Sequence, residues 1–262
     1  MASLPGKVVV ITGSTSGIGL GMAETFAREG AQLVINGFGN DQEIAGMTRH
    51  LQGLSNREVL YHRADMSKPN EIESLIQEAE SKLGAVDVLI NNAGIQHVAP
   101  VDEFPADRWD SVIAINLSAC FHTIRHALPG MRKRGWGRII NIASVHGLVA
   151  SPNKSAYVAA KHGVIGLTKT VALETAQTAI TCNAICPGWV LTPLVQQQVD
   201  ARAAQHQLTE TAARQQLLLE KQPSGEFVSP EQLGALALFL CSPAGEQIRG
   251  AAWNVDGGWL AQ

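Results

Sequence analysis

Ser144, Tyr157 and Lys161 stand in one run, Ser144-Val-His146-Gly-Leu-Val-Ala-Ser-Pro-Asn-Lys154-Ser-Ala-Tyr157-Val-Ala-Ala-Lys161. A Tyr and a Lys four residues apart lie on one face of a helix, about one turn from each other. An ammonium beside a phenol favours the phenolate. A phenol so placed can pass a proton to or from an alcohol near neutral pH. Ser144, arriving from the preceding strand, can hold the same substrate oxygen. Taken alone, Tyr-x-x-x-Lys also fits a solvated helix face. The loop that stands upstream of it gives the pair its meaning.

That loop is Val8-Val-Val-Ile-Thr12-Gly13-Ser-Thr-Ser-Gly17-Ile-Gly19-Leu20. A β-branched run ends in glycines, and an apolar helical pattern follows at Ile18, Met22 and Phe26. Gly13 suits a tight turn, Gly17 a close backbone approach to a pyrophosphate, and Gly19 close packing of helix on strand. The helix N-terminus then offers free N–H groups to the anion. The spacing is Gly-x-x-x-Gly-x-Gly, and no Gly-Lys-Ser/Thr of a P-loop follows. The alternative is a tight strand-to-helix turn without a ligand.

The elements that must position these residues alternate along the chain. Short apolar runs predict strands at 8–12, 32–36, 58–63, 86–90, 137–142, 180–185 and 252–255. Helical patterns fall at 18–29, 41–51, 69–83, 108–133, 156–176 and 230–241. Such alternation predicts an α/β fold, a doubly wound parallel sheet of about seven strands covered on both faces. Ligands of such sheets bind beyond the carboxyl ends of the strands. Gly13, Asn36-Gly37, Asp65, Asn92, Ser144 and Pro187-Gly188 all fall at those ends. Residues 192–223 interrupt the alternation with a long polar helical stretch that includes Gln196, Gln197 and Gln198. Long excursions at a ligand edge often form lids, and a solvated or oligomer-contacting helix pair is the alternative.

With these residues in place, the chain resembles the short-chain dehydrogenase/reductase family in its compact, single-domain Rossmann-type form. The resemblance rests on Thr12-Gly13-x-x-x-Gly17-x-Gly19, Asp65, Asn91-Asn92-Ala93-Gly94, Asn116, Ser144, Tyr157-x-x-x-Lys161 and Pro187-Gly188, in the family's order. It implies one catalytic domain over residues 1–262 and hydride transfer between a nicotinamide ring and a carbinol carbon. It implies Tyr157 as acid/base, Lys161 on the ribose and beside Tyr157, Ser144 on the substrate oxygen, and Asn116 holding a relay water. The cofactor residues it implies are Gly13, Thr15, Ser16, Gly17, Ile18, Gly19, Phe38, Asp65, Met66, Asn92, Gly94, Tyr157, Lys161, Pro187, Val190 and Thr192. A homotetramer, packed through the long helices and the last strand, follows from the resemblance as well.

The usual sign of NAD is an acid at the end of the second strand, on the adenine ribose. Asn36-Gly37-Phe38-Gly39-Asn40 stands there instead. Neither this turn nor Ser14-Thr15-Ser16 holds a cation for a 2′-phosphate, so NAD is the expected cofactor. Asp65 is placed to cap the adenine amino group, and Phe38 to pack near the adenosine or to stand as a surface aromatic.

His146, Lys154 and Gln96 extend from strand ends or a helix start toward the expected pocket, and Gln198 approaches from the lid. Their chemistry suits a small carboxylate. Singly, Lys154 could be solvated, His146 a satisfied loop residue and Gln96 a turn cap. Trp189 and Trp259 could close the pocket around a methyl-sized group, or pack in the core or between subunits. The spacing supports a small anionic hydroxy or keto acid. Within the family, Asn91-Asn-Ala-Gly-Ile-Gln96-His97, Ser144-Val-His146-Gly-Leu-Val-Ala, Asn153-Lys154-Ser-Ala-Tyr157, Pro187-Gly-Trp189-Val and Asp256-Gly-Gly-Trp259 carry a narrower resemblance. It implies reversible oxidation of (R)-3-hydroxybutyrate to acetoacetate with NAD, with Gln96, His146, Lys154 and Gln198 on the carboxylate. The alternatives are a reductase of carrier-bound 3-oxoacyl thioesters and a non-catalytic nicotinamide-binding protein.

Composition agrees with this class. Apolar residues make up 45% of 262, enough for a large core, and a net charge of −3 gives no electrostatic case for nucleic acid. No apolar stretch is long enough to span a membrane, and the first residues lack the basic and apolar regions of a signal peptide. Cys120, Cys182, Cys186 and Cys241 show no metal-ligand spacing, so no metal is expected and buried thiols in the cytoplasm are. Cys182 and Cys186 are expected to flank a strand.

Overall fold

The computed structural model describes residues 4–261. Seven strands form one sheet in the order β3-β2-β1-β4-β5-β6-β7. They are β1 Val8–Ile11, β2 Gln32–Asn36, β3 Val59–His62, β4 Val88–Asn91, β5 Gly137–Ile142, β6 Ile180–Pro187 and β7 Ala252–Val255. Every pairing is parallel. A parallel sheet needs cover on both faces, and β1 shows how the sequence supplies it. Val9 and Ile11 join one core with Met22, Phe26, Leu33 and Leu233. Val8 and Val10 join the other with Ile72, Ile76, Leu89 and Ile124. Successive strand residues point to opposite faces, so a run of four apolar residues serves both layers.

The covering helices are α1 Gly17–Arg28, α2 Asp41–Ser55, α3 Pro69–Leu83, α4 Ala106–Ile113, α5 Ala119–Arg134, α6 Ser155–Glu174, α7 Pro193–His206, α8 Glu210–Leu219 and α9 Pro230–Cys241. Their starts are written locally. Asn40 and Glu43 form a reciprocal capping box on α2, as Ser229 and Gln232 do on α9. The helix expected at 108–133 is interrupted. A five-residue π turn, Ala114–Ser118, joins α4 to α5 and carries the buried Asn116. Apolar periodicity runs through such a turn, so the sequence pattern does not disclose it. Strand β6 runs on to Pro187, which puts Cys182 and Cys186 inside it and not at its flanks.

The excursion after β6 folds as α7 and α8. Val195, Val199, Ala213 and Leu217 form a small core of their own, with Trp189 and Phe227 against it. Arg214 donates to Gln196 and pairs with Glu210, and Arg202 pairs with Glu220. The two helices are thus fastened to each other. Among the described residues no helix is long and apolar enough to cross a membrane.

Candidate active site

A cleft of about 590 Å³ opens along the carboxyl ends of the strands. It passes between the turns after β1 and β4, where the strand order reverses, and continues to the turns after β5 and β6.

The glycine loop forms one wall. Gly13 has φ 61°, and a Cβ there would stand 2.8 Å from the Cα of Ala93. A Cβ on Gly19 would strike the Gly13 carbonyl and the Asn92 amide. Only glycine permits this closeness. The Asn92 side chain donates to the carbonyls of Thr12 (3.0 Å) and Gly13 (2.9 Å). Asn36 accepts from Gly13 N and donates to His62 O and Ala64 O. Ser16, at the start of α1, makes no side-chain cap, so the first N–H groups of that helix stay available to an anion. This cradle fits a pyrophosphate.

Phe38 is 61% exposed at the cleft rim, an apolar face open to an adenosine. Asp65 accepts from Ser67 N and Ser67 Oγ and faces Lys68, which hold its carboxyl below the usual range. Met66 and Gly94 also line the cleft, as do Thr15, Gly17, Ile18, Pro187, Val190 and Thr192. The lining cations are Lys154 and Lys161. Both lie on α6 or at its N-cap, away from the adenosine end.

Ser144 ends the segment after β5, and its oxygen accepts from His146 N at 3.2 Å. Tyr157 and Lys161 share one face of α6. The buried Lys161 ammonium donates to Ile142 O at 2.7 Å and stands 5.7 Å from the Tyr157 ring centre. Asn116 sits behind the wall. Its amide accepts from Ile95 N (2.9 Å) and donates to Ile95 O (3.0 Å), so its side chain is spent holding a cleft residue in place.

Gln96, His146, Lys154, Trp189, Gln198 and Trp259 all line the same cleft as Tyr157. The Lys154 ammonium lies 5.4 Å from the Trp189 ring centre, and burial pushes its pKa down. The Trp189 and Trp259 rings stand 5.8 Å apart, and His146 meets Trp259 and Tyr157 edge-on. Burial, and then the charge of Lys154, push His146 down to about 4, so it is neutral at pH 7. Its Nδ1 faces Ser144 Oγ at 3.4 Å and its Nε2 faces Ser151 Oγ at 2.8 Å. Both ring nitrogens therefore have partners within the chain, as in the reading of His146 as a satisfied loop residue. The sequence reading missed Ser151, Gln197, Ile95 and the buried Gln222. Only Gln197 had a local signal, its place in the glutamine run. Among the described residues no cluster of metal-ligating side chains occurs.

Comparisons with known proteins agree with this geometry. The model of the short chain dehydrogenase family matches residues 7–203. The chain is 60% identical to D-beta-hydroxybutyrate dehydrogenase of Cupriavidus necator, over 99% of this chain and all of that one. It is 54% identical to the Rhizobium meliloti protein of the same name, over 98% and 99%. The crystal structure of levodione reductase superposes with a TM-score of 0.90 at 31% identity, covering 98% of this chain and 99% of that one. The chain belongs to the short-chain dehydrogenase family. It is an oxidoreductase, and its cofactor is NAD(H), which the cleft fits.

Proposed function

We propose that the protein interconverts (R)-3-hydroxybutyrate and acetoacetate. Lys154 carries this reading. Its ammonium is half-buried against Trp189, and no carboxylate among the described residues pairs with it. A cation withdrawn from water without a counter-ion favours an anionic ligand. Trp189 and Trp259 wall the same space with their apolar rings. The two highly identical relatives, named for a hydroxybutyrate, support the same substrate.

NAD held along the glycine loop would supply the acceptor for the hydride of the carbinol carbon. Tyr157 takes the hydroxyl proton, and Ser144 holds the oxygen as it becomes a carbonyl. Lys161 places a positive charge beside the phenol, and its remaining N–H groups would hold the ribose. Asn116 fixes Ile95 and so the turn that carries Gln96. Lys154 holds the carboxylate with the amides of Gln96 and Gln198. The pair α7 and α8 acts as the lid. Exposed Phe121 on α5 and Leu173 on α6 support assembly through the long helices, as a tetramer. Four free, buried cysteines support a reducing compartment, the cytoplasm.

The test compares kcat/KM for the free acid and its methyl ester, with NAD, in wild type and Lys154→Ala. Losing one partner of a desolvated charge pair costs about 2–5 kcal/mol, or about thirty-fold and upward in efficiency. That loss is expected for the acid and not for the ester. An equal loss for both would remove the carboxylate pocket from Lys154.

A further inference from the structure

We propose that Ser151 is a positioning residue for Ser144, acting through the His146 ring. The proposal rests on the reading of Ser144 as the group that holds the substrate oxygen. The three side chains form a line: Ser144 Oγ to His146 Nδ1 at 3.4 Å, and His146 Nε2 to Ser151 Oγ at 2.8 Å. Ser144 and His146 are each buried, and His146 is wedged edge-on between Tyr157 and Trp259. The ring cannot turn away without displacing one of them.

His146 is neutral at pH 7, so one ring nitrogen carries a proton and the other a lone pair. Two arrangements saturate the line. In the first, Ser151 donates to Nε2 and the proton sits on Nδ1, which donates to Ser144 Oγ. The Ser144 oxygen also accepts from His146 N at 3.2 Å. Its two lone pairs are then filled, and its own proton is left for the substrate oxygen. In the second, Nε2 carries the proton and donates to Ser151. Nδ1 then takes the Ser144 proton, and Ser144 offers the substrate only a lone pair.

A carbonyl oxygen accepts and cannot donate. The oxygen passed between alcohol and ketone therefore needs the first arrangement at the moment of hydride transfer. A Ser151 hydroxyl that donates to Nε2 holds the ring in it. Without that hydroxyl, nothing in the line holds the proton on Nδ1, the Nε2–H form takes over in the same ring position, and Ser144 loses its donor role.

The experiment uses Ser151→Ala and Ser151→Thr in the full chain. Ser151→Ala is expected to lower kcat in both directions by about five- to tenfold, the worth of one hydrogen bond. KM for cofactor and for substrate should stay within about twofold. Ser151→Thr, which keeps the hydroxyl, should restore kcat. Ring ¹⁵N shifts should place the proton of His146 on Nδ1 in wild type and in Ser151→Thr, and on Nε2 in Ser151→Ala. Unchanged kcat in Ser151→Ala, a loss that threonine does not restore, or the same tautomer in all three chains would each overturn the proposal. The ¹⁵N measurement needs no substrate, so a wrong assignment of the hydroxy acid would not be mistaken for failure of the relay.

Discussion

The side-chain carbonyl of Gln222 accepts the backbone N–H of Trp189 at 2.8 Å, and Gln222 is wholly buried. Its amide donates to Glu226 O. Ser224 N, two residues on, donates to Gly257 O at 3.0 Å, beside the turn that carries Trp259. Where the excursion of α7 and α8 returns to the body of the protein, it is thus tied to both aromatic walls of the pocket.

Gln222→Ala takes the acceptor from the partly buried N–H of Trp189, a cost of about 1–3 kcal/mol. Denaturant unfolding should show a loss in that range. Substrate KM should rise while the affinity for NAD stays near wild type. Wild-type stability in this variant would show that the Gln222 amide does not hold the wall.

Tyr157→Phe removes one oxygen and leaves the cleft's shape. NAD should still quench protein fluorescence with normal affinity, while turnover falls by about 10²–10⁴. A variant that turns over near the wild-type rate would remove Tyr157 from the proton transfer.

Cofactor choice has its own test. The cations that line the cleft, Lys154 and Lys161, sit at the catalytic end. The protein should therefore prefer NAD clearly over NADP. Phe38→Arg, at the exposed rim, should narrow the gap. Arginine at residue 40 is the poorer choice, because Asn40 caps α2. Equal kcat/KM for the two cofactors in wild type would sink this expectation.

His146 sets a pH dependence of stability. Its pKa falls from 6.5 to about 4 on folding. Between those values the unfolded chain binds a proton that the folded chain refuses. The contribution is fully present above pH 6.5 and is lost as pH falls toward 4. It amounts to about 3 kcal/mol. Urea unfolding at several pH values should show a shallower decline in His146→Gln than in wild type. Parallel curves would mean that the ring carries no such penalty.

Much of this architecture was legible in the chain. Strand–helix alternation showed a parallel sheet because each apolar run and each helical face repeats its own period. The glycine loop and the Tyr157–Lys161 pair were legible because the turn and the helix face are local. Gln222 and Ser151 were not. Gln222 acts on a residue 33 positions away, and Ser151 acts on a ring nitrogen whose direction only packing decides. The π turn at Ala114–Ser118 escaped for a related reason, since one added residue in a helical turn barely disturbs apolar spacing. Asn36 was read as a missing acid, when its amide is the peg that joins the glycine loop to the end of β3.

That peg constrains how the enzyme can be rewritten. The end of the second strand is where dinucleotide enzymes usually register their choice of cofactor. Here an aspartate at residue 36 would press a carboxylate against the carbonyls of His62 and Ala64, which the amide now serves at 3.0 and 2.9 Å. Drift or design at this position would unfasten the phosphate cradle before it altered any preference for a ribose. Evolutionary change of cofactor in this lineage is thereby steered past the strand end and into the open turn that begins at Gly37.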